Sequence, residues 1–333
     1  MKKEIITGIA ALILAMIIFT FADEAKRFDD KGVHDTAKGA FWGQEFPGLI
    51  PKIFGPGIVS TRYHEHSSPD FSLDGKEMFY TLTCDNGHVI MYVNTEDGNW
   101  STPKPAVFSG TYSDDSHVWA NDGTKLYFRS TRPFDNTTGN EYHNWIVSKT
   151  DTGWGDPEPN HFFAYSFTES GENYFYMKSE DTGWDIFRSG PGDSYRGYQK
   201  LGEEINSNSD DVTPCVAPDE SYLLFASKRR DDTIGIMDLY ISFREKDGSW
   251  TGARNLGRPV NTPGHISRFP RISPDGKFLF YWSNINNDEA DGDSLSAVEE
   301  MLQPFNPWRP ENGKDGDIYW VSIELIEKFR PLK

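Results

Sequence analysis

The chain is poor in cysteine, in basic charge and in long apolar runs. Its 333 residues include 2 cysteines, too few for a disulfide scaffold or a cysteine-based zinc site of usual spacing. Cys84 and Cys215 fall in different repeats and strands, so no bond between them is expected. Lysine and arginine number 33 against 51 acidic residues, a formal charge of −18. That balance argues against a phosphate-backbone binder, which needs clustered cations, so no nucleic-acid partner is expected. No G-x-S-x-G occurs, which excludes a serine peptidase of the α/β-hydrolase type. Only one stretch, Ile5 to Phe21, is long and apolar enough to approach a bilayer span.

That stretch follows Lys2 and Lys3, and Thr20-Phe21-Ala22 places small residues where a signal peptidase cuts. Residues 1–22 therefore read as a secretory signal, with an uncleaved anchor as the alternative. No cysteine near the exit marks a lipoprotein anchor. Residues 23–46 carry charge and glycine without periodicity and read as a linker. The whole chain is 37% hydrophobic and 14% aromatic, enough for a core and against wholesale disorder.

Four segments repeat: SSPDFSLDGKEMFYT from Ser67, SHVWANDGTKLYFRS from Ser116, TPCVAPDESYLLFAS from Thr213 and FPRISPDGKFLFYWS from Phe269. A weaker fifth, AYSFTESGENYFYMK, starts at Ala164. Their turn residues Asp74, Asp122, Ser170, Asp219 and Asp275 stand 48, 48, 49 and 56 residues apart. Three residues before each turn is an apolar side chain (Phe71, Trp119, Phe167, Val216, Ile272), followed by a small one (Ser72, Ala120, Thr168, Ala217, Ser273). Six residues after it stands an aromatic in every copy: Tyr80, Phe128, Tyr176, Phe225 and Tyr281. This is period-two burial in two strands joined by a tight turn. Each copy continues into a third strand (IMYVN, NWIVSK, DIFRS, DLYISF, DIYWVS), and most then reach a polar turn and an aromatic: Trp100, Trp154, Tyr198 or Trp250.

A four-stranded antiparallel unit of about 50 residues, repeated radially, is a propeller blade. The spacing predicts an all-β, five-bladed β-propeller over residues 47–333, with six blades as the alternative. PKIFGPGIVS near residue 51 resembles PKPAVFSGTYS near residue 103, which lies where an outer strand belongs. An N-terminal strand is thus predicted to complete the last blade and close the ring. The acidic insertion from Asn284 to Gly313 contains NNDEADGDS, which lacks the leading Asp and the terminal Glu of a calcium loop. It reads as a solvated loop with a short helix at SAVEEML, capped by Ser296 and Glu299.

SPDFSLDGK, RISPDGKFLFY and DLYISFREKDGSWTGARNLGRPVNT resemble PD40-type, WD40-like repeats, the propeller repeat also found in TolB-like bacterial proteins. The resemblance implies the fold; it leaves function open, because the repeat serves in binding proteins, enzyme gates and secreted proteins alike.

Function in a propeller collects around one mouth of the central channel, where the innermost strands begin. The innermost strands are taken to be those entering each turn. Positions ten to seven residues before the turns contain His64, Glu65, His66, Asp114, Asp115, His161, Asp210, Asp211, His265 and Arg268. Four of the 8 histidines fall in these twenty positions, where even placement would put about 0.5. Neutral imidazoles with carboxylates suit a borderline divalent cation, so His64, His66, His161 and His265 are the metal candidates and a divalent ion the one cofactor considered. The plainer explanation is that these residues bond backbone amides between blades. Glu65, Asp114, Asp115, Asp210 and Asp211 come from three blades and are the catalytic candidates, since a flanking carboxylate pair serves glycoside hydrolysis. His64, His66, His161, His265 and Arg268 are the ligand-binding candidates.

The expectation is an exported, periplasmic or secreted monomer that binds an envelope protein or a glycan at a channel mouth. The alternative is a polysaccharide-active enzyme, either a metal-assisted lyase or a carboxylate hydrolase.

Overall fold

The computed structural model describes residues 39–61, 63–134, 141–180, 183–192, 197–285 and 316–331. The signal segment, the start of the linker and nearly all of the acidic insertion, with its Ser296–Glu299 cap, lie outside the described residues. No helix among the described residues is long and apolar enough to cross a membrane.

The repeat folds as five antiparallel sheets, one per blade. In blade two, Asp114–Trp119, Lys125–Ser130 and His143–Thr150 run from inside to outside, and Glu158–Asn160 pairs on the outer edge. Blade four follows the same order with Asp211–Val216, Tyr222–Ser227, Asp238–Phe243 and Arg254–Asn255. In every blade the strand entering the turn is the innermost. The ring closes as the repeat predicts: Lys52–Ile53 is the outer strand of blade five, with Lys52 opposite Trp320 and Ile53 opposite Tyr319.

Burial follows the aromatic columns. Tyr80, Phe128, Phe225 and Tyr281 are all buried, and they fill the spaces between neighbouring blades rather than one central core. The small column does more than permit close approach. The hydroxyls of Ser72 and Ser273 donate to Asp74 and Asp275 at 2.6 and 2.7 Å and accept from backbone amides across the turn. A serine there closes the hairpin that the following Asp-Gly begins.

The linker reading gives way to packed chain from Ala40 onward. Trp42 is buried, and Phe41 stacks on Trp100 at 5.6 Å between centroids. Trp100 itself is buried behind the Asp97-Gly98 turn, as a packing residue of a hairpin. Cys84 and Cys215 are buried and unbonded to each other.

Candidate functional site

The inner strands of blades two, four and five share a break in their ladders. Register shifts between Asp115 and Val118, between Val212 and Cys215, and between Arg268 and Arg271. One residue in each break, Ser116, Thr213 or Phe269, has a φ of 52 to 56°. Left-handed φ at a non-glycine residue is costly, and a recurring bulge re-aims the side chain beside it. Of the residues just before the bulges, Val212 and Arg268 come to the channel mouth, and Asp115 is buried within range of Arg129 and Arg268.

Val212 and Arg268 line a cavity of about 580 Å³. Phe163 enters it from blade three, and Arg129, Tyr176, Trp184 and Lys228 reach it from second and third strands or their ends. Lys228 is ion-paired with Asp210. Arg129 and Arg268 are different: among the described residues neither forms an ion pair. Arg129 lies over the rings of Tyr142 and Phe163 at 4.9 and 5.9 Å. Arg268 lies 3.9 Å from the Phe269 centroid, and its buried Nε has no hydrogen-bond partner. The mouth of a strongly acidic protein is thus locally cationic and lined with rings.

Beside the cavity, His66, His88 and Asp115 each bring a donor atom within 4.8 Å of the others. The two imidazoles stack at 4.1 Å between centroids. Burial first, then the neighbouring charges of His88 and Arg268, hold His66 well below the usual imidazole range. Burial, then His64 and Arg129, brings His88 down to about 4. Asp115 is buried, and burial pushes its carboxyl up to about 6 against the pull of Arg129. Its Oδ1 has no hydrogen-bond partner. His88 is placed by a tight fit: a Cβ at Gly87, where φ is 134°, would collide with the Ser113 side chain. The Ser113 hydroxyl accepts from the His88 amide at 2.8 Å and meets the Tyr142 hydroxyl at 2.5 Å.

The other candidates have different surroundings. Glu65 points into the protein, where its Oε1 accepts from the Thr61 amide and hydroxyl at 3.1 and 3.0 Å. Burial, then the charge of Asp317, pushes its carboxyl well up. Asp114 is buried against Arg132 at 2.6 Å and accepts from Ser109 at 2.8 Å. Asp211 repeats that arrangement in blade four with Arg230 at 2.7 Å and Ser207 at 2.8 Å. These two are blade anchors, which is the plainer explanation raised above. Asp210 lines the cavity; burial raises its carboxyl, and Lys228 with the Trp184 amide outweighs that and lowers it.

The three-residue cluster contains His66 and does not include His64, His161 or His265. His64 has its ring 6.2 Å from that of His66 and 5.9 Å from Trp282. His161 is exposed and edge-on to Phe134 at 5.3 Å. It follows the outer strand Glu158–Asn160 of blade two, and the inner strand of blade three starts only at Ser166. His265 Nδ1 is 3.1 Å from the Asn284 carbonyl. His88, Arg129 and Tyr142 escape a search confined to inner strands. The ladder holds the signal that finds Arg129, which is the cross-strand partner of Asp115.

No family model matches the chain, and no curated protein does. Among solved structures it is similar to TolB from Acinetobacter baumannii, at 17% identity and a TM-score of 0.41 over 62% of this chain and 47% of that one. The chain therefore spans about half the length of that protein. It is also similar to a GH43_12 protein retrieved from a capybara gut metagenome, at 12% identity and a TM-score of 0.44, covering 80% of this chain and 52% of that one. An α-L-arabinofuranosidase from Podospora anserina, solved with cellotriose, gives 12% identity and a TM-score of 0.42 over 83% and 94%. At these identities the likeness concerns the propeller fold and no activity.

Proposed function

We propose that the protein is an exported, non-catalytic binding module that takes an anionic glycan, one bearing carboxylate or sulfate, into the cavity at the channel mouth. The observation that carries this reading is the pair of guanidiniums that form no ion pair among the described residues, Arg129 and Arg268, set among aromatic rings in one cavity. A guanidinium fork matches a carboxylate or sulfate with two parallel hydrogen bonds. The apolar C–H face of a sugar ring packs on aromatic faces such as Trp184 and Tyr176. Export is supported by the basic, apolar and small-residue order of residues 1–22.

A carboxylate hydrolase needs two carboxyl groups flanking one glycosidic bond. Asp114 and Asp211 are engaged with arginines, Glu65 with Thr61 and Asp210 with Lys228. Of the five candidates Glu65 and Asp115 each keep one buried oxygen without a hydrogen-bond partner among the described residues, and neither lines the cavity. That arrangement favours binding over hydrolysis.

Titration calorimetry with an oligogalacturonate and with a neutral cello-oligosaccharide tests the reading. The acidic sugar should bind and the neutral one should bind at least ~10-fold more weakly, and Arg268→Gln should cost roughly 1.5–3 kcal/mol, the worth of a charged hydrogen bond. Equal affinity for both sugars, or an unchanged Arg268→Gln variant, would overturn it. Cleavage of the bound oligosaccharide would overturn the non-catalytic part.

A further inference from the structure

We infer that His66, His88 and Asp115 form a binding site for one borderline divalent cation of the Zn²⁺ class, at the channel mouth and independent of the glycan reading. Three donors from two blades lie within 4.8 Å of one another. A tetrahedral ion with bonds of about 2.0 Å needs donors about 3.3 Å apart, a closure that side-chain rotation supplies.

The independent observation is Asp115 Oδ1. It is a buried carboxylate oxygen with no hydrogen-bond partner, on a side chain only 6% exposed. Such a group is costly to leave unsatisfied and calls for a ligand. Outer contacts of the kind that orient metal ligands are also present. Thr83 Oγ1 lies 3.4 Å from His88 Nδ1, which leaves the other ring nitrogen for the ion, and Ser113 holds the His88 backbone.

Two imidazoles and one carboxylate leave a coordination position open, the pattern of a site that keeps water or an exogenous ligand rather than a closed structural one. Arg129 and Arg268 stand close enough to influence the titration of His66 and Asp115. They oppose a cation, so the ion should be removable by a chelator.

The test uses the full chain without an affinity tag, stripped with a chelator and titrated with Co²⁺ by visible absorption, then with Zn²⁺ in competition. One saturable equivalent is expected, displaced by Zn²⁺. His88→Ala should weaken it at least ~10-fold, the lower end of what loss of a mere outer-shell partner costs, while His161→Ala should leave it unchanged. Should His88→Ala melt early, Asp115→Asn, nearly isosteric, takes its place with the same expectation. A wild-type chain with no saturable site would overturn the inference. So would binding that survives both His88→Ala and Asp115→Asn, or that is lost with His161→Ala.

Discussion

Asp114 and Asp115 are adjacent in one strand, ahead of the bulge at Ser116, so they face opposite sides and meet different environments. Asp114 is sealed against Arg132, Ser109 and the blade interior, whereas Asp115 is buried within range of Arg129 and Arg268 with one oxygen unsatisfied. Asp211, at the same distance before its turn as Asp114, repeats the anchor in blade four with Arg230. Removing one partner of a buried ion pair strands the other, at about 3–5 kcal/mol. Asp114→Ala should therefore lower stability by about that amount in urea unfolding, while Asp115→Asn, whose carboxyl is already pushed up by burial, should leave stability nearly unchanged or raise it. Equal losses for the two would contradict the division of labour. Both carboxylates stand out in the sequence as an acidic pair before an inner strand. Their separate roles do not, because alternation says that they face opposite sides and the neighbouring blades decide what each side meets.

At the scale of elements, the outer strand Lys52–Ile53 carries the ring closure. It pairs with Asp317–Ser322, and Phe54 behind it packs on Phe280 and Trp320 at centroid distances of 4.9 and 5.3 Å. The preceding turn adds Phe41 and Trp42 to the same cluster. Buried aromatic and aliphatic side chains are worth about 1.5–3 kcal/mol each, so losing this segment approaches the whole stability of a domain, about 5–15 kcal/mol. A chain beginning at Ile58 should lose cooperative thermal unfolding and become susceptible to limited proteolysis, compared with one beginning at Gly39. A cooperative melt at the same temperature would show that closure is dispensable. This element was legible as a likeness between two short segments. The docking of Phe41 and Trp42 was not, because their stretch has no periodicity and its burial depends on a blade that ends 280 residues later in the chain.

At the scale of the whole molecule, a charge of −18 surrounds a cationic mouth. Like charges repel an anionic oligosaccharide out to about the screening length, which falls from about 30 Å at 0.01 M salt to about 8 Å at 0.15 M. The association rate constant should therefore rise severalfold over that range in stopped-flow measurements, whereas the dissociation rate also rises as the guanidinium contacts weaken. An association rate that falls steadily with salt would show that the mouth, rather than the net charge, governs approach.

The blades, their number and the strand that closes them were determined by the sequence alone. The apolar, small and aromatic columns recur within a dozen residues of each turn, and the repeat copies them at a nearly constant spacing, so the information is local. The site was decided by tertiary structure. His66 precedes the inner strand of blade one and His88 lies on its third strand, Asp115 is on blade two and Arg268 on blade five, and nothing in their spacing says that they meet. The ring brings separate blades to one mouth, and a bulge in the inner strands of blades two, four and five re-aims side chains there. A shift of one residue reverses a strand's faces, so the fold survives reading errors that the site does not.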